Sequence, residues 1–207
     1  MNLVGRGESD SLQVMWHHRG RIYCKGFVDG DVQQVQGLFI CDDGLATASS
    51  VGRLANEFSL RDELEPDFAA VPRALVRDRG RALLIVEAPD GEPLDALFPR
   101  RLSMRQFLLV AAGLCEALNK LHDRHIIHKD IKPGHVIANL ETGRAWLTGF
   151  GIASRLPRQR SVPEPPEAIV GTLEYMAPEQ TGRMNRSIDS RSDLYVRADG
   201  ILSHRAD

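Results

Sequence analysis

The stretch from His125 to Gly151 reads HIIHKDIKPGHVIANLETGRAWLTGFG, and the fold of the whole chain turns on it. Two short apolar runs, Val136-Ile137-Ala138 and Ala145-Trp146-Leu147, flank the turn residues Glu141-Thr142-Gly143. Apolar triplets around a glycine-containing turn predict a β-hairpin. Ahead of that hairpin stand His128, Lys129, Asp130 and Lys132, followed by Pro133 and Gly134. Such a concentration of charge beside a Pro-Gly break belongs on a loop. The plain alternative is an unrelated hairpin beside a stray His-x-Asp.

Three ordered motifs argue against that alternative. His128-Lys129-Asp130 with Lys132 and Pro133 resembles the catalytic loop of protein kinases, and Leu147-Thr148-Gly149-Phe150-Gly151 stands where that family carries its metal-binding Asp-Phe-Gly. Further on, Gly171-Thr172-Leu173-Glu174-Tyr175-Met176-Ala177-Pro178-Glu179 resembles the end of a kinase activation segment. The resemblance implies a catalytic set. Asp130 would accept or orient the substrate hydroxyl proton, Lys132 would neutralise charge on the moving phosphoryl group, and Thr172 would position the substrate. Lysine at position 132 is similar to Ser/Thr rather than tyrosine kinases. Both loop residues also have a bland reading, as anchors of the fold.

Working upstream, Leu12–His17, Arg21–Val28 and Val32–Ile40 read as three strands, with Asp29-Gly30 as a hairpin turn. In the resembling family the first turn is a glycine-rich loop, because backbone must approach phosphates closely. Only Gly20 remains there, so the phosphate clamp is weak. Ser49 or Ser50 caps a helix running to about Leu64, with Val51, Leu54 and Phe58 at helical spacing. Glu57 on that helix would hold the family's third-strand lysine against the ATP phosphates, or is an exposed helix charge. The lysine itself is missing. The chain has four lysines, none within Val32–Cys41, and Lys25 on the preceding strand is the sole candidate substitute.

Ala74–Arg77 and Arg81–Glu87 flank Asp78-Arg79-Gly80 as another hairpin, and Glu87–Pro93 breaks both periodicities. That segment is the expected linker between lobes, where the family binds adenine through backbone groups. Ser103 then caps a long helix with Met104, Phe107, Ala111, Leu114, Leu118 and Leu121 on one buried face.

The metal positions are altered. His135 stands in place of the family's loop Asn, and Gly149 in place of its metal Asp. Mg²⁺ wants oxygen ligands in near-octahedral geometry, which neither residue supplies. Metal ions bridging the β- and γ-phosphates carry much of phosphoryl transfer, so the resemblance implies ATP as candidate cofactor, no metal ligands, and impaired or absent phosphotransfer. Two rivals stand beside that reading: an active Ser/Thr kinase using Lys25, and a nucleotide-free domain that docks a partner.

Composition sets the bounds. The chain has 207 residues, 43% hydrophobic and 26% charged, with a formal net charge of -2. That is ordinary globular composition, and it gives no electrostatic case for nucleic acid or an anionic membrane. No apolar run approaches the roughly 20 residues of a membrane helix, and the start MNLVGRGESD lacks a signal-peptide core. Cys24, Cys41 and Cys115 are widely spaced, which predicts buried free thiols in a reducing cytoplasm.

Gln180–Asp189 resembles the kinase-like domain that opens large bacterial hybrid proteins joining a kinase-like domain, an ATPase module and often a sensor histidine kinase. Some members of that group carry glycine in place of the metal Asp. Downstream modules of a larger signalling protein, and a protein partner or substrate, follow from the resemblance. Asp193 would cap the catalytic-loop backbone and open a buried apolar helix. Val196–Asp207 instead brings charges and a glycine, as a frameshifted tail would. The expected architecture is therefore α+β and two-lobed, kinase-like: a small antiparallel-sheet lobe at 1–88, a mainly helical, incomplete large lobe at 89–195, and an aberrant tail at 196–207. Losing the later helices would leave Leu114, Leu118 and Leu121 partly in water.

Overall fold

The described strands of the first part of the chain form one antiparallel sheet. The computed structural model describes residues 13–18, 21–25, 37–41, 47–78, 81–87, 89–100, 102–156, 171–182 and 187–195, with the first three strands described as backbone only. Strands β1 (Gln13–His18), β2 (Arg21–Lys25) and β3 (Gly37–Cys41) form a meander, joined by β5 (Arg81–Val86) and then β4 (Pro72–Asp78) in the order β1-β2-β3-β5-β4. Tyr23 pairs with Phe39, and Phe39 in turn with Leu84. Ala82, Leu83, Leu84 and Val86 are buried, so β5 is a central strand in burial as well as in pairing.

Helix α1 (Ala48–Ser59) packs on β4 and β5. Its cap is Thr47, not Ser49 or Ser50: the Ser50 amide donates to Thr47 Oγ1 at 3.1 Å. It also ends earlier than the apolar spacing predicts. The Leu60 and Arg61 amides reach back only three residues, to Glu57 and Phe58, which tightens the last turn and stops the helix.

The chain divides into two compact units, residues 1–66 with 70–89 and residues 67–69 with 90–207. Glu87–Pro93 is not a bare linker, because β6 (Glu92–Pro93) pairs with β8 (Val136–Ala138). Proline has no amide to donate and is tolerated on an edge strand, which is where β6 lies in the order β6-β8-β9. β9 (Ala145–Leu147) completes the predicted hairpin, with Ile137 opposite Trp146. Asn139 closes the turn: its Oδ1 accepts from the Glu141 and Thr142 amides, both at 3.0 Å.

After the short helix α2 (Leu94–Leu97), α3 (Met104–Asp123) starts at the predicted Ser103. Ser103 Oγ accepts from the Gln106 amide, and the Gln106 side chain accepts from the Ser103 amide, a reciprocal capping box. The buried face is Val110, Leu114, Ala117, Leu118 and Leu121. Three expectations fail here. Met104 is 48% exposed, one turn beyond the hairpin the helix packs on. Leu114, Leu118 and Leu121 are not left in water: they are 9%, 3% and 0% exposed, because β9 and β7 (Ile126–Ile127) cover them. Cys115 is an exposed free thiol rather than a buried one, since one residue past Leu114 is about 100° around the helix. Cys24 and Cys41 have no described side chains, and 196–207 lies outside the described residues.

Helix and hairpin meet at two glycines. A Cβ on Gly113 would fall 2.1 Å from the Gly143 carbonyl oxygen, and one on Gly143 would fall 2.8 Å from Leu109 Cβ. This backbone contact seats the hairpin, and the hairpin carries both altered metal positions at its ends.

Candidate active site

The loop between β7 and β8 is held from below by one carboxylate. Asp193, at the end of the chain's described part, accepts from the His128 amide at 2.8 Å and the Lys129 amide at 2.7 Å. His122 Nε2 donates to the same group at 2.9 Å. Asp193 is itself 2% exposed. This is the capping role expected of it. A second clamp is one the sequence did not reveal: Gln180 Nε2 donates to the Lys129 carbonyl at 2.7 Å. Nearby, Ser192 Oγ donates to buried Glu179 at 2.7 Å. Both contacts join residues far apart in the chain, so no local spacing announces them. Lys129 is bent into the left-handed region at φ 68°, and burial lowers its ammonium pKa from the ordinary lysine value while the charge of Asp193 opposes the shift.

On this frame Asp130, Lys132 and Thr172 come together. Lys132 Nζ donates to Asp130 Oδ2 at 3.0 Å and to Thr172 Oγ1 at 2.7 Å, while the Thr172 amide donates to Asp130 Oδ1 at 3.1 Å. One side-chain cluster thus ties two segments 42 residues apart. Asp130 is 7% exposed, so an oxygen on a phosphoryl acceptor would meet a carboxylate already oriented by a cation and an amide.

His128 braces the loop from within. The Asp130 amide donates to its Nδ1 at 3.3 Å, and its Nε2 lies 2.9 Å from the Thr148 carbonyl oxygen. An acceptor at Nδ1 and a donor at Nε2 describe a neutral imidazole in one tautomer. Its ring packs on Phe150 with centroids 4.8 Å apart.

The metal positions behave differently. His135 is 4% exposed, and its Nδ1 donates to the Asp130 carbonyl at 2.8 Å. Gly149, at φ +83°, lies against that ring. The Thr148 hydroxyl is buried with no hydrogen-bond partner among the described residues. Nor do those residues contain a group of three or more His, Cys, Asp or Glu that could hold a metal ion. Mg²⁺ takes hard oxygen ligands, whereas the two positions where the family carries its metal ligands hold an imidazole and a glycine. The described residues at these two positions do not fit a Mg²⁺ site.

Of the remaining candidates, Glu57 is 0% exposed on α1, so the exposed-charge reading of it is wrong. Lys25 lies on β2, opposite Gln13, and its side chain is outside the described residues. Gly20 is outside them too.

The family model described as a protein kinase domain matches residues 45–201, more than half of the chain. The chain belongs to the protein kinase family. Among similar proteins, the serine/threonine-protein kinase Pkn1 of Myxococcus xanthus is 37% identical over 132 residues, 60% of this chain and 18% of that protein. The serine/threonine-protein kinase PknA of Mycobacterium tuberculosis is 31% identical over 187 residues, 80% of this chain and 42% of that protein. A probable serine/threonine-protein kinase PknB of Corynebacterium glutamicum is 32% identical over 137 residues. The chain spans less than half the length of these relatives. These matches make it a Ser/Thr protein-kinase-like domain, α+β and two-lobed. None of its described helices is long and apolar enough to cross a membrane.

Proposed function

We propose that this domain serves as a signalling module whose phosphotransfer is impaired or absent, within a larger bacterial regulator of the cytoplasm. The observation that carries the reading is the contrast inside the loop. Asp130, Lys132 and Thr172 form a hydrogen-bonded cluster, yet the corner where the family's cation ligands belong holds His135 and Gly149. Without bridging cations, phosphoryl transfer loses its main source of charge neutralisation. Asp130, Lys132 and Thr172 act in this reading as a surface for a protein substrate or partner hydroxyl. Lys25 and Gly20 are the proposed contacts to ATP, with Glu57 holding the lysine, and ATP binding is then weakly dependent on Mg²⁺.

The test is a phosphotransfer assay with Mg-ATP on the purified chain, using itself and a generic protein as acceptors. Little or no transfer is expected. Turnover near one per second that vanishes in Asp130→Ala would overturn the reading. A thermal-shift titration with ATP, with and without Mg²⁺, measures binding separately, since a ligand of the native state raises apparent stability.

A further inference from the structure

The relation between His135 and Gly149 goes further than the loss of two ligands. An ideal Cβ built on Gly149 falls 2.6 Å from both Cγ and Cδ2 of His135 and 2.7 Å from Cε1. Near-equal distances to atoms spread around a five-membered ring place that Cβ over the face of the imidazole, not at its rim. Real Cβ atoms essentially never approach so closely. The ring has nowhere simple to go. Its Nδ1 is held by the Asp130 carbonyl at 2.8 Å and lies 3.4 Å from Asp130 Oδ2. The His135 amide donates to the Lys132 carbonyl at 2.8 Å, and its own carbonyl accepts from the Thr148 amide at 3.0 Å. Backbone at both flanks and side chain at the tip are fixed, and the residue is 4% exposed.

We infer that His135 and Gly149 form one interlocked pair, in which the imidazole occupies the volume of any side chain at position 149 and thereby excludes a carboxylate, and with it a divalent cation, from the loop. The inference rests on the reading above that this corner holds no Mg²⁺, and it adds the cause. Gly149 is not a lone lost ligand that a single reversal would replace. The ring makes position 149 glycine-only, and the left-handed φ of +83° adds a second, separate preference for glycine. The two contributions can be told apart because only the steric one depends on His135.

The decisive experiment is a double-mutant cycle read by thermal unfolding. Gly149→Ala adds only the Cβ. In the native background it should lower Tm by roughly 5 °C or more, or prevent folding. In a His135→Ala background the same substitution should cost less than half as much, the residue of the effect being backbone strain. Equal losses in both backgrounds, or no loss in the native one, would overturn the interlock. A second arm uses Mn²⁺ as probe in the presence of ATP, followed by electron paramagnetic resonance. Gly149→Asp alone should gain no Mn²⁺ affinity. His135→Asn with Gly149→Asp should bind Mn²⁺ at least tenfold more tightly than the native chain. A gain from Gly149→Asp alone, or none from the double variant, sinks the inference. Failure of the underlying reading looks different: it is phosphotransfer by the native chain, which leaves the Tm cycle untouched.

Discussion

Two halves of one loop, separated by a few residues, are built on opposite principles. At Asp130 the groups are charged and tied by three hydrogen bonds among Asp130, Lys132 and Thr172. At His135 the corner is closely packed: a ring lies on a glycine, and the neighbouring Thr148 hydroxyl is buried without a partner among the described residues. The first half keeps what orients a hydroxyl. The second has exchanged ligand chemistry for packing. Retaining a polar cluster and retaining a cation site are thus separable, although the two halves meet at Asp130, whose carbonyl accepts from His135 Nδ1 and whose Oδ2 lies 3.4 Å from it.

Four substitutions can break or sharpen that contrast. The largest effect is expected at the carboxylate that caps the loop. Asp193→Ala leaves the His128 and Lys129 amides without their acceptor, and each buried orphan costs about 1–3 kcal/mol. A loss of about 3–5 kcal/mol in urea denaturation is expected; a loss under about 1 kcal/mol would mean that the loop does not hang from this residue. Next comes the polar half. Lys132→Met removes the cation from a nearly buried carboxylate and should cost about 1–3 kcal/mol, against about 0.5–1.5 kcal/mol for Thr172→Val, which leaves the Thr172 amide on Asp130. The reverse order in the same denaturation series would show that charge does not organise this half. The smallest effect belongs to the packed half. Thr148→Val is near-isosteric and removes a hydroxyl without a described partner, so stability should stay level or rise by about 1 kcal/mol. A fall of more than about 1 kcal/mol would reveal a polar corner and erase the contrast.

Much of this was legible in the sequence because the signals are local. Ser103 and Gln106 announce the start of α3, the triplets around Glu141-Thr142-Gly143 announce the hairpin, the loop motif marks Asp130 and Lys132, and a separate motif at Gly171–Glu179 marks Thr172. Other features depend on what meets across the fold. Thr47 rather than Ser49 or Ser50 caps α1, since a cap is decided by which hydroxyl faces the first free amides. Pairing of Glu92–Pro93 requires an edge that only β8 supplies. The burial of Leu114, Leu118 and Leu121 depends on β9 and β7, whose cover the heptad-like spacing on α3 does not reveal. His135 and Gly149 were each visible as departures from the kinase pattern, but their contact was not, because two absences in sequence give no hint that one side chain fills the other's place.

The seat between Gly113 and Gly143 also bears on how this domain tolerates change in length. With the Gly143 carbonyl lodged where a helix side chain would otherwise stand, the turn from Asn139 to Arg144 is measured against α3 from outside and against β8 and β9 from within. An inserted residue would have to be absorbed either by lifting the turn off the helix or by slipping the strands, and a one-residue slip turns every side chain to the opposite face. Surface turns are ordinarily the places where insertions accumulate. This one behaves as a spacer of fixed gauge, so natural variation in the hairpin should appear as exchange of residues within it and hardly ever as a change in their number.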